Sequence, residues 1–123
     1  MKILSVDDSK TMRQIIRNTV EVLGHDFLEA ENGKRALDVL KTAGTVDMIL
    51  LDWNMPEMDG ITLLKTLKAD PNYRDIPVTM VTTESERVRV IDAIKSGAKN
   101  YVTKPFTQEQ LIAKIQESLG MGI

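Results

Sequence analysis

The sequence predicts an α/β fold, a five-stranded parallel sheet doubly wound with five helices on its two faces. Three observations predict it. Five short apolar runs alternate along the chain with segments of helical period. Each run closes on polar residues, and the helical segments stop near glycines. Strands that alternate with helices in this way form a parallel sheet covered on both sides. Right-handed crossovers then fix most of the topology.

The elements follow in order. Ile3 to Val6 is a short strand closed by Asp7-Asp8-Ser9. From Lys10, Met12, Ile15, Ile16, Thr19, Val20 and Leu23 share one helical face, and Gly24 ends that helix because it tolerates positive φ. Phe27 to Ala30 is a second strand. Asn32 caps a helix that buries Ala36, Leu37, Val39 and Leu40 and stops near Gly44. Met48 to Leu51 is the third strand, ending on Asp52, and a helix runs from about Gly60 through Leu63, Leu64 and Leu67. A turn-rich loop, residues 70–77, precedes the fourth strand, Val78 to Val81, which ends on Thr82-Thr83-Glu84. Its helix turns Val88, Ile91 and Ile94 inward and stops at Gly97, leaving Val90 off the buried stripe. Tyr101-Val102-Thr103 is the fifth strand and closes on Lys104-Pro105-Phe106. Thr107 and Gln110 are spaced as a capping box for a last helix that buries Leu111, Ile112, Ile115 and Leu119 before Gly120. No linker, repeat or second domain interrupts the pattern, so residues 1–123 form one domain.

The third strand is the informative one. An apolar run with no alternation is buried on both faces, which suits an interior strand of a parallel sheet. Asp52 then sits at its carboxyl end, the edge where open α/β sheets place ligands. A carboxylate there either caps the following loop or reacts with something. The bulk composition narrows the choice. A net charge of −2 gives no field to draw the chain onto nucleic acid or an anionic membrane. The absence of cysteine removes disulfides and thiol chemistry and fits a reducing cytoplasm. The amino end lacks the apolar core of a signal peptide, and no apolar run reaches the roughly 20 residues of a membrane span.

Four strands deliver polar groups to one rim: Asp7 and Asp8 from the first, Asp52 from the third, Thr82 from the fourth and Lys104 from the fifth. Crowded carboxylates repel and raise one another's pKa values, a conflict that a divalent cation resolves. An oxygen-only donor set points to a hard ion, and Mg²⁺ commonly takes one or two carboxylates, waters and a phosphate. Lys104 and Thr82 are not needed to hold an ion, but both suit a phosphoryl group. The set reads as a phosphoryl-transfer site with a nucleophilic Asp52.

These residues carry a resemblance. The Asp7-Asp8 pair, Asp52 within residues 52–60 (DWNMPEMDG), Thr82 and the Lys104-Pro105-Phe106 run resemble a response-regulator receiver domain over essentially the whole chain, most closely the stand-alone chemotaxis receivers. The resemblance implies a flavodoxin-like sheet in the order 2-1-3-4-5, a fold class on which the strand-end ligand rule was itself framed. It implies phosphorylation of Asp52 by a histidine kinase. Asp8, Asp52 and the carbonyl of Asn54 would hold Mg²⁺, with Asp7 acting mainly through water. Lys104 would bridge to the phosphoryl oxygens, Thr82 would swing in to bond one, and Tyr101 would follow it from an outward to an inward rotamer. The Lys104–Pro105 peptide is expected to be cis. Val90, Lys95, Tyr101 and Lys114 would face a downstream target such as a flagellar switch component. A phosphatase is a further expected partner, and the chain is expected to be a cytoplasmic monomer that catalyses only its own phosphorylation and dephosphorylation.

Each feature also has a plainer reading. Acids after a strand often cap the next helix, and strand ends are rich in threonine. Trp53 reads as a packing residue beside Asp52, His25 as a solvated turn residue and the methionines as core filler. Thr83 stands where receivers often carry a small residue, and Asn54 and Glu84 would tune how fast water reaches an acyl phosphate. The competing functions are a haloacid-dehalogenase-type Mg²⁺ phosphatase, a flavin binder, a receiver that works without phosphorylation, and a fragment of a longer regulator. The first wants a second acid where Ser9 stands, and the second would set Asp7 and Asp8 against its phosphate.

Overall fold

The chain folds as β1 (Lys2–Val6), α1 (Lys10–Val22), β2 (Asp26–Ala30), α2 (Gly33–Thr42), β3 (Met48–Asp52), α3 (Gly60–Ala69), β4 (Val78–Thr83), α4 (Arg87–Lys95), β5 (Asn100–Lys104) and α5 (Gln108–Ser118). The computed structural model describes residues 1–53, 55, 58–83 and 87–120, with only the backbone described at 87–89. All five strands are parallel, in the order β2-β1-β3-β4-β5. The expected doubly wound, flavodoxin-like fold is the one found.

Alternation along the strands builds two apolar layers. Leu4, Val6, Ile49, Leu51 and Met80 face α2, α3 and α4 through Ala36, Leu40, Leu63, Leu64, Leu67 and Ala93. Ile3, Met48, Leu50, Val81 and Val102 face α1 and α5 through Ile16, Val20, Leu111 and Ile115. Every residue of β3 is buried, as a strand with a layer on each side must be. Burying each large side chain of β3 contributes about 1.5–3 kcal/mol, which holds firmly the strand that carries Asp52.

Helix ends follow local chemistry. Ser9 Oγ, the Asn32 side chain, Asp59 and Thr107 each accept a backbone N–H in the first turn of their helices, and Thr107 with Gln110 forms the full capping box. Gly24 and Gly97 adopt φ of 80° and 111°, conformations that other residues reach only with strain.

Two helical faces differ from the sequence-based expectation. On α4, Ile91 and Ile94 are exposed, while Ala93 is buried and Val90 half-buried. A helix lying close to the sheet turns small side chains inward, so ranking positions by hydrophobic size selects the wrong stripe. Val90 is half-buried and belongs to neither apolar layer, and the Val88 side chain lies outside the described residues. On α1, Ile15 is 45% exposed at the edge of the face that Ile16 and Val20 bury. No helix among the described residues is long and apolar enough to cross a membrane.

Candidate functional site

The rim at the carboxyl ends of β1, β3, β4 and β5 brings the expected polar residues together. Asp7, Asp8 and Asp52 each offer a carboxylate oxygen, all within 4.8 Å of one another. Asp7 and Asp52 are buried, whereas Asp8 is exposed. Lys104 Nζ lies 3.1 Å from Asp52 Oδ1 and 3.4 Å from Asp7 Oδ2. The Lys104–Pro105 peptide is cis. Asn54 and Glu84 lie outside the described residues.

The backbone explains why these groups converge. In register, Asp52 pairs with Val81 and Thr83 with Lys104, which sets the functional ends of β3, β4 and β5 at nearly one level. Asp7 follows β1, and its N–H extends the ladder by donating to the Ala30 carbonyl at 3.1 Å. Ser9 N–H donates to Asp7 Oδ1 at 2.8 Å, so each Asp7 oxygen already has a partner. Asp8 and Asp52 retain more capacity for direct ligation.

The loop after Asp52 is held by close approach. Gly60 N–H donates to the Trp53 carbonyl at 2.9 Å. A Cβ on Gly60 would stand 2.3 Å from the Asp52 carbonyl oxygen and 2.9 Å from Trp53 Cα, far inside contact distance. Only glycine lets α3 begin this near the acid. Trp53 is buried in the α2–α4 layer, in keeping with its reading as a packing residue.

Electrostatics at the rim are unbalanced. Burial first, then the neighbouring Asp7 carboxylate, pushes the Asp52 carboxyl from 3.8 up to about 6, although the Lys104 charge and hydrogen bond pull it down. Burial pulls the Lys104 ammonium down, but Asp52 and Asp7 outweigh it and leave its pKa above the usual lysine range. One ammonium faces three acids, so a hard divalent cation fits both the donor chemistry and the charge deficit.

Thr82 adds a second sign of a missing partner. It is 2% exposed, and its Oγ1 finds no hydrogen bond among the described residues. A buried hydroxyl left this way costs about 1–3 kcal/mol and needs an explanation, which an incoming anion would supply. Ser5 Oγ in the interior of β1 is also without a hydrogen bond among the described residues, and nothing in the structure accounts for it.

The residues expected to face a partner are partly contiguous. Thr82, Thr83, Val90, Ile91, Tyr101 and Thr103 line a hollow of about 300 Å³. Tyr101 is 41% exposed, in the outward position, and Lys114 Nζ stands 5.5 Å from its ring centroid. Lys95 is exposed in the last turn of α4 and is not among the described residues lining the hollow. His25 Nδ1 lies 3.4 Å from the amino terminus, away from the rim.

Sequence reasoning missed Arg13. Its Nη1 donates to the Asp7 carbonyl at 2.7 Å and its Nε to Glu29 Oε1 at 2.7 Å. One arginine inside an amphipathic helix carries no motif, and its register relative to β2 became visible only with the fold.

Residues 3–116 match the family described as "Response regulator receiver domain". A protein named "Chemotaxis protein CheY homolog" from Campylobacter jejuni is 50% identical over 123 residues, covering 99% of this chain and 95% of that one. "Chemotaxis protein CheY1" of Helicobacter pylori is 47% identical over 121 residues, with 98% of each covered. The solved structure of the chemotaxis response regulator CheY4 of Vibrio cholerae superposes with a TM-score of 0.89 at 32% identity, covering 96% of this chain and 98% of that one.

Proposed function

Because this chain belongs to the response-regulator receiver family, we propose that it is a single receiver domain, spanning 1–123, whose phosphorylation on Asp52 switches its affinity for a downstream protein. The observation that carries the reading is the gathering of Asp7, Asp8 and Asp52 oxygens within 4.8 Å beside the Lys104 ammonium.

An Asp52 carboxylate oxygen attacks the phosphorus of a histidine kinase's phosphohistidine. The O–P bond forms as the N–P bond breaks, and the departing imidazole nitrogen takes a proton from solvent. Hydrolysis reverses the state: water attacks phosphorus, the acyl-phosphate O–P bond breaks, and inorganic phosphate leaves a free Asp52 carboxylate. Mg²⁺, when bound, neutralises the acids and the phosphoryl oxygens. Asp8 and Asp52, with the Asn54 carbonyl, are its proposed protein ligands, and Asp7 acts through water. Lys104 moves its ammonium from the acids to a phosphoryl oxygen. Thr82 donates its unused hydroxyl to another, and Tyr101 turns inward after it. Because these bonds exist only in the phosphorylated arrangement, they bias an existing equilibrium toward the binding form.

The names of the similar proteins favour chemotaxis as the setting; a histidine kinase is the proposed donor, a flagellar switch component the proposed target and a phosphatase a further proposed partner. Tyr101, Val90, Lys95 and Lys114 are the proposed contact residues. The chain acts as a cytoplasmic monomer and turns over no outside substrate. Incubation with a small phosphodonor and Mg²⁺, followed by peptide mass mapping, tests the reading. A single phosphoryl group on Asp52 that is lost on chelation before labelling is expected. Labelling elsewhere, or steady hydrolysis of a phosphomonoester such as p-nitrophenyl phosphate, would contradict it.

A further inference from the structure

Asp8 is the exposed member of the acid trio, and among the described residues no hydrogen bond or ion pair holds its carboxylate. Its reach toward a cation is therefore limited by where the backbone places its Cα. The carbonyl of Asp7 belongs to the planar peptide that joins Asp7 to Asp8. Arg13 Nη1 donates to that carbonyl at 2.7 Å, and Arg13 Nε is anchored at 2.7 Å by Glu29 on β2. The Arg13 side chain is only 13% exposed, so this bridge is shielded from solvent. Arginine presents its donors in a rigid planar fork and can hold both partners at once.

We propose that Arg13, anchored by Glu29, is a positioning residue that fixes the Asp7–Asp8 peptide and so sets the angle at which Asp8 meets the cation. The proposal rests on the metal-dependent reading above. It makes a prediction opposite in sign to simple electrostatics. Arg13 is a positive charge near a cation site, and by Coulomb attraction alone its removal would tighten Mg²⁺ binding. If its work is orientation, removal weakens binding.

Calorimetric titration of Mg²⁺ into wild type, Arg13→Met, Arg13→Lys and a control, Arg17→Met, decides between them. Arg17 lies one turn further along α1 and pairs with Glu21 at 3.4 Å, so its loss removes the same charge without touching the acid loop. Weakening of about tenfold or more is expected for Arg13→Met, the usual cost of removing an outer-shell partner of a metal ligand. Arg13→Lys is expected to be intermediate and Arg17→Met unchanged. Equal or tighter binding by Arg13→Met would overturn the role of Arg13 alone. A wild type that binds no Mg²⁺ would overturn the metal site and this inference with it. Should Arg13→Met fail to fold, Glu29→Gln loosens the same anchor, and an unchanged affinity in that variant would overturn the proposal.

Discussion

The Lys104 ammonium lies 3.1 Å from Asp52 Oδ1 and only slightly farther, 3.4 Å, from Asp7 Oδ2, so a cation on β5 reaches one acid at the end of β3 and another just past β1. In the resting state Lys104 partly neutralises the charge that a metal would share. Replacing it with methionine removes a repelling neighbour of the cation, and Mg²⁺ affinity measured by calorimetry is expected to rise. The same variant is expected to lose the response to a phosphodonor, because the clamp on the phosphoryl oxygens is gone. A fall in Mg²⁺ affinity would show instead that Lys104 holds the acids in place.

Asp52 gives the free protein a distinctive pH dependence. Its carboxyl is pushed from 3.8 to about 6 in the folded chain, so between those values the folded state binds more protons than the unfolded one. Stability without divalent ions is therefore expected to fall as pH rises through that window. Asp52→Asn is expected to flatten that fall, and so is saturating Mg²⁺, which competes with the proton. Urea midpoints measured at a series of pH values check this. A wild-type profile that rises between pH 4 and 6 with the same slope in Asp52→Asn would contradict it.

Thr82→Val separates resting stability from switching. Valine keeps the shape and removes a buried hydroxyl that has no hydrogen bond among the described residues. The resting protein is expected to be as stable or up to about 1 kcal/mol more stable, since an unsatisfied polar group is lost. Stabilisation by beryllofluoride, read as a shift in the urea midpoint, is expected to shrink relative to wild type.

Gly60→Ala tests the close approach of α3 to the acid. With an added Cβ only 2.3 Å from the Asp52 carbonyl oxygen, the helix start or the acid must shift. A loss of about 1–3 kcal/mol is expected from urea unfolding, typical of overpacking. Slower labelling by a small phosphodonor should accompany it, because Asp52 moves with its backbone.

Much of this molecule was legible in the sequence because period and punctuation speak directly to backbone geometry. The doubly buried β3, the caps at Asn32 and Thr107 and the gathering of Asp7, Asp8, Asp52 and Lys104 all follow from patterns in short stretches. The α4 face did not, because tight helix–sheet packing turns Ala93 inward and leaves Ile91 and Ile94 outside, against the order of hydrophobic size. Arg13 stayed hidden for a different reason. Its partners lie on a strand edge and a carbonyl, and only the parallel pairing of β1 with β2 brings Glu29 beside the Asp7 peptide. The orphaned Thr82 hydroxyl was equally invisible, since the lack of a partner is a property of the folded surroundings.

Trp53, which follows Asp52 in the chain and is buried beside the acid loop, offers the most direct measurement. Its emission is followed while Mg²⁺ and then beryllofluoride are titrated into wild type and Asp52→Asn. The expected result is a Mg²⁺-dependent change in both proteins and a further change with beryllofluoride in wild type only. A beryllofluoride response that persists in Asp52→Asn, or a wild-type response that needs no Mg²⁺, would contradict a metal-assisted phosphoryl acceptor at Asp52.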